Sequence, residues 1–191
     1  IRMNPKKLLP LLSVSLLVCL PVLQAADVDQ AQLEQEAIDI VKKFGGTLKP
    51  ELVKAMQSGG PAHAISVCAD KAPEIAHSLS LETGWNVKRV SLKPRNAPSA
   101  IPDAWEASVL EQFDQRQASG EPAATMKHAE IVDGSFRFMK AQGVEAVCLN
   151  CHAADIKPEV EAALRQAYPN DKARGYTLGQ VRGAFSLSRG L

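Results

Sequence analysis

The sequence predicts an α+β domain, in which helices come first and a largely antiparallel sheet follows with further helices inserted. Three observations carry this prediction. Apolar residues recur at helical spacing over residues 27–44, and the period changes to the alternation of a strand from Asn86 onwards. Asp133-Gly134 then separates two alternating runs, which is the strongest short hairpin signal in the chain. No internal repeat is visible, so we expect residues 26–191 to form one domain.

Glycine and proline interrupt the helical periodicity before Asn86, and we expect three helices there. Glycine commonly ends a helix, threonine can cap one, and proline suits the first turn. The expected helices are residues 27–44, stopped by Gly45-Gly46; a shorter helix capped by Thr47 that ends at Gly59-Gly60; and one that starts at Pro61, is broken or kinked at Pro73 and continues to Gly84.

The remaining elements alternate between strands and helices. In the hairpin, the two-residue turn pairs Val132 with Ser135 and Glu130 with Arg137, with Ala129, Ile131, Phe136 and Phe138 on one apolar face. The expected strands are residues 86–93, 127–132 and 135–140, and a last strand in which Val181, Phe185 and Leu187 alternate with Arg182, Ser186 and Ser188. Helices are expected from Asp103 and over about 158–168, with an irregular loop over 94–102.

The first 25 residues have the organisation of a secretory signal peptide. Lys6 and Lys7 precede an apolar run over 8–23, and Gln24-Ala25-Ala26 offers small residues for cleavage after Ala25. An uncleaved membrane anchor is the alternative, although the apolar run is short for a spanning helix. Cleavage removes three basic residues and no acidic one from the 22 and 21 of the full chain, which leaves a net charge of −2. We expect a periplasmic protein that does not span the membrane once cleaved, and its charge favours no nucleic-acid partner.

The pattern Cys148-Leu149-Asn150-Cys151-His152 is the attachment signature of c-type haem. Its spacing has a chemical reason, because the two thiols reach the two porphyrin vinyl groups and the adjacent imidazole becomes an axial ligand of the iron. A thioredoxin-like dithiol would normally follow a strand of a βαβ unit, and a zinc site would need further ligands. Neither context is visible, so we expect one covalently attached haem c.

The second axial ligand is less specific in the sequence. Cys68 stands out because Cys19 lies in the signal peptide and the haem motif uses the other two cysteines, which leaves one thiol in an oxidising compartment. Its alternative role is that of a small buried hydrophobic residue. Thiolate ligation would favour ferric iron and predicts a low-potential, six-coordinate haem. The candidates are Met56, Met126, Met139, His63, His77, His128 and Cys68, or an open position.

Lys93, Arg95 and Asn96 flank the prolines of the irregular loop. Their donors could hold the haem propionates, because the planar fork of an arginine matches a carboxylate. A solvated loop without a ligand is the alternative.

Several segments, taken in order, resemble a domain-of-unknown-function family of exported c-type haem proteins. The resemblance covers nearly all of the chain after the signal peptide. The matching segments are Val90-Ser91-Leu92-Lys93-Pro94-Arg95-Asn96, Pro102-Asp103-Ala104-Trp105-Glu106, Phe138-Met139-Lys140, the Cys-Leu-Asn-Cys-His motif, Gly175-Tyr176 with Gly179, and Arg182-Gly183-Ala184.

The resemblance implies a PAS-like fold, with a sheet flanked by helices, and ligation of the haem iron by one histidine and one cysteine. The family's ligand cysteine lies in the pattern Ala-Ile-x-Val-Cys followed by Ala-Pro. Here the pattern matches Ala64-Ile65-Ser66-Val67-Cys68 and Ala72-Pro73. The resemblance therefore implies His152 and Cys68 as the iron ligands.

The expected function is that of a monohaem cytochrome serving as a redox or small-molecule sensor module, as the resemblance implies. The sequence carries no kinase or chemoreceptor module, so signalling would need a separate periplasmic protein. An electron carrier is the alternative and would favour a partly exposed haem edge with a charged docking rim. A haem enzyme such as a peroxidase would need an open distal position, which stable Cys68 ligation argues against, so we do not expect an enzyme.

Overall fold

The structure is a computed structural model that describes residue 1 and residues 29–191. The signal peptide predicted over residues 1–25 lies outside the described residues, apart from the first residue, and so does the start of the first predicted helix. Among the described residues, no helix combines the length and the apolar character that crossing a bilayer requires.

The first element, α1 (Gln30–Thr83), is a long helix with one sharp break. Asp29 caps it, because its Oδ1 accepts hydrogen bonds from the backbone N–H groups of Ala31 and Gln32 at 3.0 and 3.2 Å. Within α1, Gly60 is the residue that leaves the helical region, with φ of 72° and ψ of −173°. Glycine tolerates this left-handed backbone, and the helical path restarts immediately after it.

The break at Gly60 folds α1 back on itself. Lys43 in the first half forms an ion pair with Glu82 in the second, 39 residues away. An unbroken helix would separate the two by roughly 58 Å. Both halves also contribute to one buried cluster. The predicted boundary at Gly59-Gly60 is therefore confirmed, and it is the point at which the chain reverses.

Two other predicted helix boundaries are wrong. The helix continues through Gly45-Gly46, where each glycine costs only about 1 kcal/mol relative to alanine and the buried face of α1 offsets that cost. Thr47 does not cap a helix, because its Oγ1 donates to the carbonyl of Lys43 at 2.8 Å, as a threonine inside a helix does. The backbone also stays helical at Pro73, so the chain does not break there.

Four antiparallel strands form one sheet in the order β1-β4-β3-β2. The hairpin register is as predicted, with Val132 opposite Ser135 and Lys127 opposite Lys140. β1 is shorter than predicted, because its pairing with β4 ends at Val90. The strands are β1 (Asn86–Val90), β2 (Lys127–Val132), β3 (Ser135–Gly143) and β4 (Val181–Gly190).

Both faces of the sheet are covered. The two halves of α1 pack on one face, and α2 (Ala104–Ala118), which begins after a capping box of Asp103 and Glu106, packs on the other. The predicted division of the hairpin into an apolar and a polar face is wrong in part. Met139 lies on the face of Glu130 and Arg137, yet it is fully buried, whereas Ile131 on the apolar face is 41% exposed. The α1 cluster includes Phe136, Phe138, Phe185 and Leu187, and the α2 cluster includes Met139, Ala141, Val181 and Ala184.

A β-bulge interrupts the pairing of β3 and β4. Arg182 and Gly183 of β4 together face the single residue Gln142 of β3. Gly183 has φ of 152°, and a Cβ atom at this position would clash with the carbonyl oxygen of Val90. The bulge therefore depends on glycine at this position.

The bulge also reverses the alternation at the start of β4. Val181 packs in the α2 cluster and not with Phe185 and Leu187, so the prediction that these three share a face is wrong. Arg182 is turned to the opposite side of the sheet, where it lines a cavity beside α1.

The segment after β3 carries the cysteine and histidine motif. It forms a 3₁₀ turn (Ala146–Cys148) followed at once by the short helix α3 (Leu149–His152). The next helix, α4 (Pro158–Ala167), begins with proline as predicted and packs on the second half of α1.

Candidate functional site

A cavity of about 550 Å³ lies between α1, β1, the bulge of β4 and α3. Its volume falls within the range of about 300–1,000 Å³ that is usual for ligand and cofactor sites. The cavity brings together all seven site residues predicted from the sequence, which are Cys68, Lys93, Arg95, Asn96, Cys148, Cys151 and His152.

The two motif cysteines form one wall of the cavity. Cys148 packs beside the cluster that contains Tyr176, and Cys151 packs beside the cluster that contains Ile65 of α1. Both are free thiols and both are partly exposed. Burial raises the pKa of the Cys151 thiol, so this group is protonated at neutral pH.

His152 presents a neutral imidazole with a defined tautomer. Its Nδ1 lies 2.8 Å from the carbonyl oxygen of Ala173. A carbonyl only accepts hydrogen bonds, so Nδ1 carries the proton and Nε2 keeps its lone pair. Burial, with repulsion from Arg182 and Arg95, lowers the pKa of His152 to about 3. A neutral imidazole whose other nitrogen is tied to a backbone carbonyl is the usual form of a metal-ligating histidine.

Arg95 connects the segment that carries His152 to the loop that follows α4. Its Nη2 donates to the carbonyl oxygens of Cys151 and Ala173 at 2.5 and 3.2 Å, and its Nε lies 3.1 Å from Oδ1 of Asp171. Its Nη1 lies 3.4 Å from Nε2 of His152. The predicted site residue Arg95 thus contacts the Cys-Leu-Asn-Cys-His motif directly.

The structure separates the candidates for a second axial ligand. Cys68, Met56 and His77 line the cavity. Met126 and Met139 are buried in the cluster under α2, on the other side of the sheet. The His128 ring packs against Trp105 with centroids 5.7 Å apart, and His63 is exposed on α1 away from the cavity wall.

Cys68 is the half-buried thiol among these three candidates. It lies in the second half of α1, which the reversal at Gly60 carries back over the sheet. Burial raises the pKa of the Cys68 thiol, while the positive charges of Arg89, Arg182 and Arg95 act in the opposite direction. The thiol therefore lies in a cationic part of the cavity, which favours an anionic sulfur once a metal binds it.

Lys93 and Asn96 line the outer part of the cavity. Lys93 is exposed, and its Nζ lies 4.9 Å from the centroid of the Tyr176 ring. The backbone carbonyl of Asn96 accepts from the N–H of Ala100 at 2.9 Å, which closes the turn of the loop. Their predicted role toward haem propionates stays a prediction.

Sequence reasoning missed Arg89, Arg182 and Asp171. Strand alternation puts Arg182 on the polar face of its strand and Arg89 on the face opposite Val90, where an exposed arginine needs no explanation. Both instead line the cavity. The available signal was Gly183 beside Arg182, since a glycine inside a strand often marks a bulge that re-aims its neighbour.

Among the described residues, no group of three or more His, Cys, Asp or Glu side chains could together hold a metal ion. His152 on α3 and Cys68 on α1 each contribute one donor to the lining of the cavity, from two different helices. Such a pair suits a metal whose other ligands come from a macrocycle.

Fold and site together define an α+β domain with a cavity lined by two histidines and three cysteines. The model of the Tll0287-like family matches residues 22–189, and the chain therefore belongs to this family. A solved structure, described as that of the cyanobacterial haem-protein Tll0287, matches with a TM-score of 0.66 and 23% identity, over 83% of this chain and 95% of that one. At this identity the likeness shows the shared fold. No curated protein matches the chain.

Proposed function

We propose that this chain is an exported, periplasmic c-type cytochrome with one haem, and that it acts as a redox or small-molecule sensor module with a PAS-like fold. Cys148 and Cys151 would form the thioether attachments, and His152 and Cys68 would be the axial ligands. The observation that carries the proposal is the cavity that collects these four side chains from α1, the 3₁₀ turn and α3.

The donors of the cavity fit such a group. The two motif thiols are free, and the His152 imidazole is neutral with Nε2 unprotonated. The buried Nε of Arg182 has no hydrogen-bond partner among the described residues, so an anionic group would satisfy it. The haem-protein relative with the same fold adds support from comparison.

The chain's own residues orient and enclose the group. Ala173 fixes the ring of His152, and Arg95 holds the adjacent backbone. The walls of the cavity come from α1, from the sheet and from α3. When bound, the haem supplies a one-electron couple and a position at which small ligands can compete.

The position of Cys68 on α1 supports the sensor assignment. A thiolate favours ferric over ferrous iron, so its hold weakens on reduction. Cys68 belongs to the half of α1 that is joined to the rest of the helix by the break at Gly60. A weaker bond between Cys68 and the iron would therefore act on a helix that covers one face of the sheet.

The central test compares the purified, haem-loaded protein with Cys68→Ala by absorption and EPR spectroscopy and by potentiometric titration. The expected result is a low-spin wild type of low potential and a Cys68→Ala variant with changed spectra and a raised potential. His77→Ala and Met56→Ala are matched controls, because both residues line the same cavity. Unchanged spectra and potential in Cys68→Ala would rule out thiolate ligation.

Three further measurements address the other parts of the proposal. Haem that can be extracted into acidified organic solvent would rule out covalent attachment through Cys148 and Cys151. Binding of CO or NO to the reduced protein is expected, and its absence in wild type and Cys68→Ala would remove the basis for gas sensing and favour an electron carrier. Recovery in the cytosolic fraction after expression with residues 1–25 intact would contradict export.

A further inference from the structure

Two arginines line the cavity without an acidic partner. Arg89 and Arg182 both contribute to its wall, and the described residues provide no carboxylate that pairs with either of them. The Nε atom of Arg182 is buried and makes no hydrogen bond within the described part of the chain. Enclosing an unpaired cation costs several kcal/mol, so such a group usually marks a site for an anion.

The sheet directs the side chains of Arg89 and Arg182 to the same cavity. Arg89 lies on β1 opposite Phe185 of β4 and therefore shares the α1 face of the sheet with it. Its guanidinium lies 5.3 Å from the centroid of the Phe44 ring. Regular alternation would direct Arg182 to the α2 face with Ala184, but the bulge at Gly183 turns it toward the cavity.

The other ionisable groups around the pair do not neutralise it. Cys68 and Tyr168 face Arg89, and Cys148 and Tyr176 face Arg182. Thiols and phenols of ordinary reactivity are neutral near pH 7. Burial and mutual repulsion lower the pKa of Arg89 to about 10, which still leaves it charged at neutral pH.

Arg95 differs from this pair in its contacts. Its guanidinium is already engaged by Asp171 and by the carbonyl oxygens of Cys151 and Ala173. Among these arginines, Arg95 braces the segment of Cys151, whereas the Nε of Arg182 has no partner among the described residues.

We propose that Arg89 and Arg182 bind the two propionate carboxylates of the haem. This inference rests on the proposed function. Two guanidinium forks in one cavity match a group that carries two carboxylates, because each fork offers two parallel N–H donors. Both arginines are thereby paired, and β1 and β4 each contribute a residue that would hold the haem.

The test uses the purified, haem-loaded protein and resonance Raman spectroscopy, in which the propionate bending modes report hydrogen bonding to the carboxylates. Arg89→Gln and Arg182→Gln are each expected to shift these modes, and the double variant to shift both. EPR of the same samples reports the axial ligands and is expected to stay as in wild type. Arg189→Gln is the matched control, because it removes the same charge from β4 at a half-buried position outside the cavity.

The outcomes separate this inference from the proposed function. A protein without covalent haem would overturn both. Covalent low-spin haem whose propionate modes are unchanged in both Gln variants would overturn only the propionate assignment. Altered EPR signals with unchanged propionate modes would also overturn the propionate assignment. They would indicate that the two arginines act on the Cys68 ligand. If a Gln variant yields no holoprotein, Arg89→Lys and Arg182→Lys keep the charge, and a shift of the propionate modes is still expected because the fork is lost.

Discussion

The Nδ1 atom of His152 lies 2.8 Å from the carbonyl oxygen of Ala173, and this contact determines which ring nitrogen carries the proton. The two residues belong to different segments, and their contact depends on how those segments are joined. Arg95 joins them, because it donates to the carbonyl of Cys151 and to the same carbonyl of Ala173. The geometry of the imidazole is therefore set by a loop arginine 57 residues away along the chain.

Arg95→Lys is expected to lower the free energy of unfolding by roughly 2–3 kcal/mol, because lysine keeps the charge but cannot reach all the acceptors of the guanidinium. Urea unfolding followed by circular dichroism measures the change. The control is Arg165→Lys, since Arg165 is 73% exposed and pairs only with Glu161 on its own helix. We expect the control to stay within about 0.5 kcal/mol of wild type. An equal loss in both variants would contradict the bracing role of Arg95.

Asp171 makes the stability of this region dependent on pH. Burial alone would raise the pKa of its carboxyl. The hydrogen bond and charge of Arg95, with the backbone N–H of Ala173 and the side-chain Nε–H of Arg174, instead hold this pKa below the ordinary value of 3.8. Since the folded-state pKa is lowered, the stabilisation is present above about pH 4 and is lost as the pH falls through the folded-state pKa.

Asp171→Asn is therefore expected to be less stable than wild type by roughly 3 kcal/mol near neutral pH, with a gap that narrows below about pH 4. Unfolding free energies measured in urea across the acidic range test this. Asp70→Asn, at an exposed position of α1, serves as the control. A gap that stays constant as the pH falls would show that the ionised form of Asp171 is not what stabilises the fold.

Gly183→Ala is expected to destabilise the protein by roughly 2–4 kcal/mol, because the positive φ and the carbonyl of Val90 leave no room for a Cβ. Gly45→Ala is the matched control, since a Cβ at that helical position meets nothing within 4 Å. We expect it to stabilise by roughly 0.5–1 kcal/mol. Thermal unfolding of both variants gives the comparison, and a neutral Gly183→Ala would argue against the bulge.

Glu106 is a buried carboxylate with no exposed surface. It accepts from Lys88 at 2.9 Å and from Ser186 at 2.6 Å, and it also caps α2 by accepting from the N–H of Asp103. Glu106→Ala is expected to lower the free energy of unfolding by roughly 3–5 kcal/mol, because it leaves the hydroxyl of Ser186 and the partly buried ammonium of Lys88 without their acceptor. Glu106→Gln keeps the shape and is expected to cost less, as measured by urea unfolding. Equal losses would assign the effect to packing and not to charge.

The most accurate sequence predictions concern features that short-range chemistry determines. Asp133-Gly134 permits the positive φ values of a two-residue turn, and the turn fixes the register of every pair in the hairpin. The α+β class is confirmed, and the predicted site residues line one cavity. The Cys-Leu-Asn-Cys-His motif predicts covalent haem because the spacing of its thiols is the one that such attachment requires.

The wrong predictions concern features that tertiary packing determines. Gly45-Gly46 has a low helix propensity, yet the apolar face of α1 carries the helix through it. The face of Arg182 depends on a bulge, which changes alternation without changing composition. Periodicity alone treats such a residue as solvent-facing.

The position of β4 has a consequence for the order in which the domain assembles. It is the last strand along the described chain, yet it lies inside the sheet between β1 and β3. The α1 hairpin and the β2–β3 hairpin are local and form quickly, whereas β1 must wait for a partner about a hundred residues later, a slow pairing of distant segments. We therefore expect the wall that carries Arg182 to be completed after the two hairpins, so that the cavity beside Cys148 and Cys151 takes its final shape only when β4 joins the sheet.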